Sequence, residues 1–328
     1  MTGEVIYPLA GKRVWVSGHA GLVGQALLRR LAREDCEVLT IGRAELDQRR
    51  QADVEAWMQS VRPDAIVLAA GTVGGIMANA TRPGEFLYDN LMIAANVIEA
   101  ARRAAVGKLL FLGSSCIYPR AAPQPISEDA LLTSPLEPTN EAYAIAKIAG
   151  LKLVEACRAQ YACDFISAMP TNLYGPGDNF DLDSSHVLPA LMRKAHDAKL
   201  RGDTELAVWG TGAPRREFLH VDDCADALVF LLQRYSSAQT INIGAGADVS
   251  IAELAQLICR TAGYGGQIRF DTTKPDGTPR KLLDITRLRD LGWRASIDLT
   301  DGVAQTYRWF SERAAVAGRR VDAPVTPA

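Results

Sequence analysis

The chain has 328 residues, enough for one large domain or a domain with an added lobe. Apolar residues make up 48% and charged residues 23%, and the net charge of −2 carries no bias toward nucleic acid or a membrane surface. The scattered Cys36, Cys116, Cys157, Cys163, Cys224 and Cys259 contain no Cys-x-x-Cys pair and only four histidines accompany them, so neither a metal site nor a disulfide framework is expected, and a reducing cytoplasm is. Met1–Ala10 lacks the basic start and apolar run of a signal peptide, and no apolar stretch approaches the ~20 residues of a membrane span.

Arg13–Ser17 is a short apolar strand that runs into Gly18-His-Ala-Gly21-Leu22-Val23-Gly24, followed by a helical Gln25–Glu34. Strand, glycine turn and helix together are a dinucleotide fingerprint. Gly18 allows the tight turn, Gly21 lets backbone approach a pyrophosphate, and Gly24 lets helix and strand pack closely. The next strand, Glu37–Gly42, should end beside the adenosine ribose, where an NAD enzyme usually places a carboxylate. Arg43 stands there instead and suits a 2′-phosphate, which favours NADP, although Glu45 and Asp47 lie close by.

Ala65–Gly71 reads as a buried strand of a parallel sheet, and the glycine-containing segment Thr72–Asn79 follows at its carboxyl end, where ligands bind in such sheets. Phe86–Ala105 reads as a long helix and Lys108–Gly113 as the next strand, delivering Ser114 and Cys116 to the same crevice. Ser114 is placed to donate to a substrate carbonyl. Cys116 is either a small buried hydrophobe or, in a polar crevice near cations, a thiolate base. In Pro138–Lys147, Tyr143 and Lys147 are spaced i, i+4 and share one face of a helix. A neighbouring ammonium is expected to lower the phenol pKa from about 10 and to make Tyr143 a proton donor to a carbonyl.

In the second half, Phe165–Met169 leads into a loop from Pro170 to Asn179, with Asn172 as a possible substrate partner. His186 precedes the helical Val187–Ala198. Leu206–Gly210 and Arg215–Leu219 suggest a strand pair with a turn between, Ile241–Gly244 a strand returning to the main sheet, and Ser250–Ala262 a helix capped by Ser250 or Asp248. Arg216 suits a diphosphate, Trp209 packs on a base or in the core, Lys194 or Arg193 faces the diphosphate, and Arg280 and Lys281 complete the nucleotide site.

The glycine loop, Leu112–Pro119 (LGSSCIYP), EPTNEAYAIAKIAG, PTNLYGPGDNF, SSHVLPAL, REFLHVDD and KPDGTPRKLLD together resemble the GDP-L-fucose synthase family of extended short-chain dehydrogenases/reductases, over about Arg13 to Phe310. The resemblance implies an NADPH-dependent 3,5-epimerase and 4-reductase acting on GDP-4-keto-6-deoxy-D-mannose. Ser114, Tyr143 and Lys147 would form the reductive triad, and Cys116 and His186 would epimerise. Two positions depart from the family's pattern: Ala20 stands where an Arg near the 2′-phosphate is common, which leaves the NADP assignment to Arg43, and Ala142 stands where Pro is frequent.

The expected fold is α/β, a Rossmann-type doubly wound parallel sheet with a smaller substrate-binding lobe. Residues 1–170 and 215–245 would hold the cofactor, 171–214 and 246–315 the GDP-sugar, and 316–328 would be a flexible tail. The cofactor is expected to meet Gly18, Gly21, Leu22, Val23, Gly24, Arg43, Ala70, Lys147, Pro170, Asn172, Leu173 and His186. The substrate is expected to meet Val187, Lys194, Trp209, Arg216 and Lys281, with no metal. Helices near 86–105 and 141–160 suggest a homodimer through a four-helix bundle. A related reaction making GDP-L-colitose from a 3-deoxy sugar needs only carbon 5 inverted. A simple 4-reductase needs no Cys116/His186 pair, and a non-catalytic NADP sensor would tend to lose Tyr143 or Lys147.

Overall fold

The computed structural model describes residues 4–274 and 276–321. The chain runs β1 (Arg13–Ser17), α1 (Leu22–Leu31), β2 (Glu37–Leu39), α2 (Gln51–Val61), β3 (Ala65–Leu68), α3 (Ile76–Thr81), α4 (Pro83–Arg103), β4 (Lys108–Leu112), α5 (Glu141–Tyr161), β5 (Phe165–Pro170) and β6 (Asn172–Tyr174). It continues through α6 (Val187–Arg201), β7 (Glu205–Trp209), β8 (Arg215–His220), α7 (Val221–Arg234), β9 (Ile241–Ile243), β10 (Asp248–Ser250), α8 (Ile251–Ala262), β11 (Gln267–Asp271), β12 (Arg280–Lys281), α9 (Thr286–Asp290) and α10 (Leu299–Val321).

The uninterrupted apolar runs of β3 and β4 are buried along their whole length, as strands covered on both faces must be. They sit in the middle of a six-stranded sheet ordered β2-β1-β3-β4-β5-β9, with every neighbour parallel. On one face, Leu27 and Leu31 of α1 meet Leu228 and Leu232 of α7; on the other, Met58 of α2, Val97 and Ile98 of α4, and Leu151 and Val154 of α5 form a second core. Each such side chain contributes about 1.5–3 kcal/mol by leaving water. The fold is the doubly wound Rossmann type. The order reverses between β1 and β3, which opens a crevice at their carboxyl ends. Gly150 lets α5 lie close on β4, because a Cβ there would stand 2.5 Å from the Phe111 ring. That close approach fixes Lys147, one turn earlier on the same face, at the end of β4.

The smaller lobe is centred on β8, which pairs with β10 antiparallel and with β12 and β6 parallel. The expected β7–β8 pair does not form. β7 pairs with β11 instead, from Glu205↔Gln267 to Trp209↔Asp271. The partners lie some 60 residues on, and two amphipathic strands close in sequence carry no mark of which distant strand each will meet. Helices α6, α8 and α10 cover these strands through Leu191, Met192, Leu254, Ile258, Val303 and Phe310. Ser250 caps α8 in a full capping box with Glu253, while Asp248 is taken by Arg215 and Arg280. α10 continues to Val321, past the expected start of the tail at 316, and residues 322–328 lie outside the described residues. β8, expected in the cofactor lobe, belongs to the small sheet, whereas α7 and β9 join the large one. No helix among the described residues is long and apolar enough to cross a membrane.

Candidate active site

The crevice starts at the glycine turn. Gly18 has φ +84, and a Cβ there would stand 2.7 Å from the Ala70 backbone at the end of β3. A Cβ on Gly24 would stand 2.1 Å from Gly18 O, so the turn and α1 close on each other only with glycine there. Gly21 precedes α1, whose first residues Leu22 and Val23 are partly buried and whose N-terminal N–H groups receive no side-chain cap. A tight turn, a backbone surface clear of side chains and an open helix N-terminus fit a dinucleotide's pyrophosphate. Past β2, Arg43 is exposed and has no ion-pair partner among the described residues, and its charge helps to hold the Asp47 carboxyl at about 2, after the larger effect of Arg49.

β4 ends one residue before Gly113, and the chain turns into a 3₁₀ segment, Ser115–Ile117, capped by Ser114 Oγ accepting from Cys116 N at 3.3 Å. The Ser114 hydroxyl also hydrogen-bonds the Tyr143 phenol. Lys147 is buried, donates from Nζ to Leu112 O at 3.0 Å, and stands over the Tyr143 ring at 5.8 Å. The expected lowering of the phenol pKa is not found. Burial raises it, the nearby Cys116 adds to this, and the Ser114 bond only partly offsets them. Lys147 is itself pushed down to about 8 by burial, and its amine addresses the ring face and a carbonyl rather than the phenol oxygen.

Cys116 faces Tyr143 on one side and Lys281 on the other, with Lys281 Nζ 3.7 Å from its Sγ. The Lys281 charge in turn reaches His186, whose pKa is lowered by enclosure first and by Lys281 second. His186 is solvent-accessible, although the chain packs closely enough around its ring to lower its pKa. It is placed from two sides: it is the residue before α6, and Gly75 N donates to Ser184 O at 2.9 Å, joining the glycine segment after β3 to the approach to α6. The structure therefore brings Ser114, Tyr143, Cys116 and Lys281 together in a series of neighbours, with His186 within reach of the Lys281 charge.

Lys281 is the register partner of Arg216 on the adjacent parallel strand, so the two side chains share a face of the small sheet, while Arg280 turns the other way to Asp248. Arg216 is largely enclosed, its pKa lowered by burial, and it donates to Arg215 O at 2.8 Å. Trp209 is 56% exposed with Lys194 at 5.2 Å and Lys274 at 5.7 Å from its ring, a platform open to a planar ring. Arg193 pairs with Asp197 on its own helix, which leaves Lys194 as the cation of α6 on this side. Val187 opens α6 with 37% exposure. Pro170 ends β5 and Leu173 lies in β6, paired opposite Leu219. Asn172 spends its amide on Glu217 O at 2.8 Å, which ties β6 to β8. His196 and His220 have structural partners, Tyr307 OH and Asp222 N.

Glu217 escaped the sequence reading. It is fully buried and accepts from Gly246 N at 2.7 Å and Leu283 N at 3.1 Å, stitching the segment after β9 to the one carrying Lys281. Its only signal is an acidic residue between the arginine pair Arg215–Arg216 and the apolar Phe218–Leu219.

Residues 14–244 match the NAD dependent epimerase/dehydratase family. A GDP-L-fucose synthase of Sinorhizobium fredii is 59% identical over 305 residues, covering 93% of this chain and 97% of the relative. GDP-L-fucose synthase 1 of Arabidopsis thaliana is 56% identical, covering 91% and 93%. The crystal structure of a GDP-L-fucose synthetase from Naegleria fowleri bound to NADP superposes with a TM-score of 0.86 at 27% identity, covering 96% of this chain and 98% of that one. With a crevice that fits a nicotinamide dinucleotide and likeness along nearly its whole length, the chain belongs to the NAD dependent epimerase/dehydratase family, in the branch that holds the GDP-L-fucose synthases.

Proposed function

We propose that this protein converts GDP-4-keto-6-deoxy-D-mannose to GDP-L-fucose by 3,5-epimerisation and 4-reduction, with NADPH as the reductant. The observation that carries the reading is the Lys281 amine 3.7 Å from the Cys116 thiol, with its charge acting on His186 and with Cys116 beside Tyr143. A ketone at carbon 4 acidifies the hydrogens on carbons 3 and 5 alike. Cys116 removes such a proton from one ring face, and the ammonium of Lys281 steadies the thiolate. Ser114 and Tyr143 hold the enolate oxygen by hydrogen bonds, an oxyanion-type arrangement. His186 returns a proton from the opposite face, which inverts the centre. When bound, the reduced nicotinamide supplies hydride to carbon 4. Tyr143, whose phenol is protonated at neutral pH, delivers the proton to the oxygen. Arg216 and Lys281 suit the diphosphate, the Trp209 platform suits the base, and the unpaired Arg43 suits a 2′-phosphate.

The test is incubation of the protein with NADPH and the keto sugar in deuterium oxide. Nicotinamide absorbance should fall, and deuterium should enter carbons 3 and 5. Uptake at carbon 5 alone would point to the colitose-type reaction. Cys116→Ser should cut exchange at both carbons about 10²-fold or more; exchange at the wild-type rate would remove Cys116 from the chemistry. The exposed Tyr88 and Leu91 of α4 and Ile145 of α5 support a homodimer through these helices, to be measured by sedimentation equilibrium.

A further inference from the structure

The segment after β2 carries Arg43, Arg49 and Arg50 with Glu45 and Asp47, and Asp89 of α4 lies beside it; Arg49 holds Asp47 and Asp89, while among the described residues Arg43 has no ion-pair partner. Arg49 donates to Asp47 Oδ1 from its backbone N at 3.1 Å and from Nε at 2.9 Å, and to Oδ2 from Nη2 at 2.7 Å. Its remaining Nη1 reaches Asp89 Oδ1 at 3.0 Å, and the other oxygen of Asp89 accepts from Thr72 Oγ1 at 2.8 Å. The segment is anchored over the carboxyl end of β1, where Ser17 Oγ donates to Gln48 Oε1 at 2.7 Å and Asn96 donates to Gln48 O at 3.0 Å. That is the ribose end of the crevice in this fold. A carboxylate here is the ordinary acceptor for an unphosphorylated 2′-hydroxyl and repels a 2′-phosphate. In this chain both oxygens of Asp47 are already filled by a bidentate guanidinium.

We infer that Arg49 sets the preference between the two nicotinamide dinucleotides: by occupying Asp47 it removes the ribose-hydroxyl acceptor and leaves Arg43 unopposed to meet a 2′-phosphate. The inference rests on the proposed use of NADPH. Arg49 is the ion-pair partner of both Asp47 and Asp89, so its loss would release two carboxylates near Arg43. Among the described residues no glutamate or aspartate forms an ion pair with Arg43.

Isothermal titration of NADP⁺ and NAD⁺ tests this without turnover. Arg49→Met should lower the ratio of NADP⁺ to NAD⁺ affinity on the order of ten-fold. The double variant Asp47→Asn with Arg49→Met should recover most of that loss, because it removes the released charge while keeping the loss of the Asp89 contact. Arg49→Lys keeps a charge but not the bidentate hold; it should give a smaller fall and serves if the Met variant does not fold. An unchanged ratio in Arg49→Met, or no recovery in the double variant, overturns the role of Arg49. If the wild type shows no preference for NADP⁺, or keeps it in Arg43→Ala, the NADPH reading itself fails and this inference falls with it.

Discussion

The two walls of the crevice are held in place by different means. The sheet wall carries Ser114 just past β4 and Tyr143 and Lys147 on α5, and these elements are locked by a buried core that includes Phe111, Leu151 and Val154. The lobe wall carries His186, Arg216 and Lys281 on three separate segments, and β12, which bears Lys281, is only two residues long. Packing fixes the first wall. Hydrogen bonds between distant loops fix the second, with Glu217 at their centre. Under the proposed roles, proton delivery to the ketone and the Cys116 base sit on the rigid side, while grip on the nucleotide and the His186 acid sit on the stitched side. A site built on regular elements keeps its geometry through packing; one built on short strands depends on a few polar contacts.

The comparison is broken most sharply on the rigid wall. Tyr143→Phe removes one hydroxyl and leaves the ring, its edge contact with Phe86 and the backbone unchanged. Reduction should fall about 10²–10⁴-fold. Binding of the GDP-sugar, measured by calorimetry, should stay within about two-fold, since the nucleotide is held from the other wall. Equal loss of binding and turnover would mean that the walls are not divided in this way.

Glu217→Gln tests the stitched wall. The amide replaces one acceptor by a donor that faces a backbone N–H, which costs about 1–3 kcal/mol. Part of that cost should appear as loosening of the segment carrying Lys281, so KM for the GDP-sugar should rise by about ten-fold while hydride transfer from saturated enzyme changes much less. A stability loss with unchanged KM would reduce Glu217 to a core residue with no bearing on the site.

The difference between the walls also explains what could be read from the residues. The glycine turn, the β-strands of the large sheet and the Tyr143–Lys147 spacing are local patterns, and each appears within a residue or a few of where it was expected. α2, α7 and α10 do not figure in the sequence analysis, although α7 buries Val221, Leu228, Leu231 and Leu232 on one side. The β7–β11 and β8–β12 pairings join segments some 60 residues apart, and no local pattern selects them. Lys281 was expected at the nucleotide, and its register with Arg216 keeps it near there. Its amine at the Cys116 sulfur depends on that long-range pairing. The phenol pKa was misjudged because spacing along a helix reports the Lys147 neighbour and says nothing of burial, which is the larger effect.

Lys147 measures what the rigid wall gives up in stability for its chemistry. The amine is buried, has one carbonyl partner, and has its pKa lowered from 10.5 to about 8 by desolvation. A lysine whose folded pKa lies below its unfolded value destabilises the fold in its charged form. The penalty is full below the folded pKa and fades as pH rises from about 8 toward the unfolded value near about 10.4. Lys147→Met removes the charge and keeps most of the packing, at the cost of leaving Leu112 O without its donor, about 1 kcal/mol. The variant should therefore be inactive in reduction yet about 1–3 kcal/mol more stable than the wild type at pH 7, by urea denaturation. That gain should shrink as the pH is raised to about 10, because the wild type sheds its buried charge. A Met variant less stable than the wild type at pH 7, or a gain that grows with pH, would mean that the ammonium is held by favourable contacts rather than tolerated for its function.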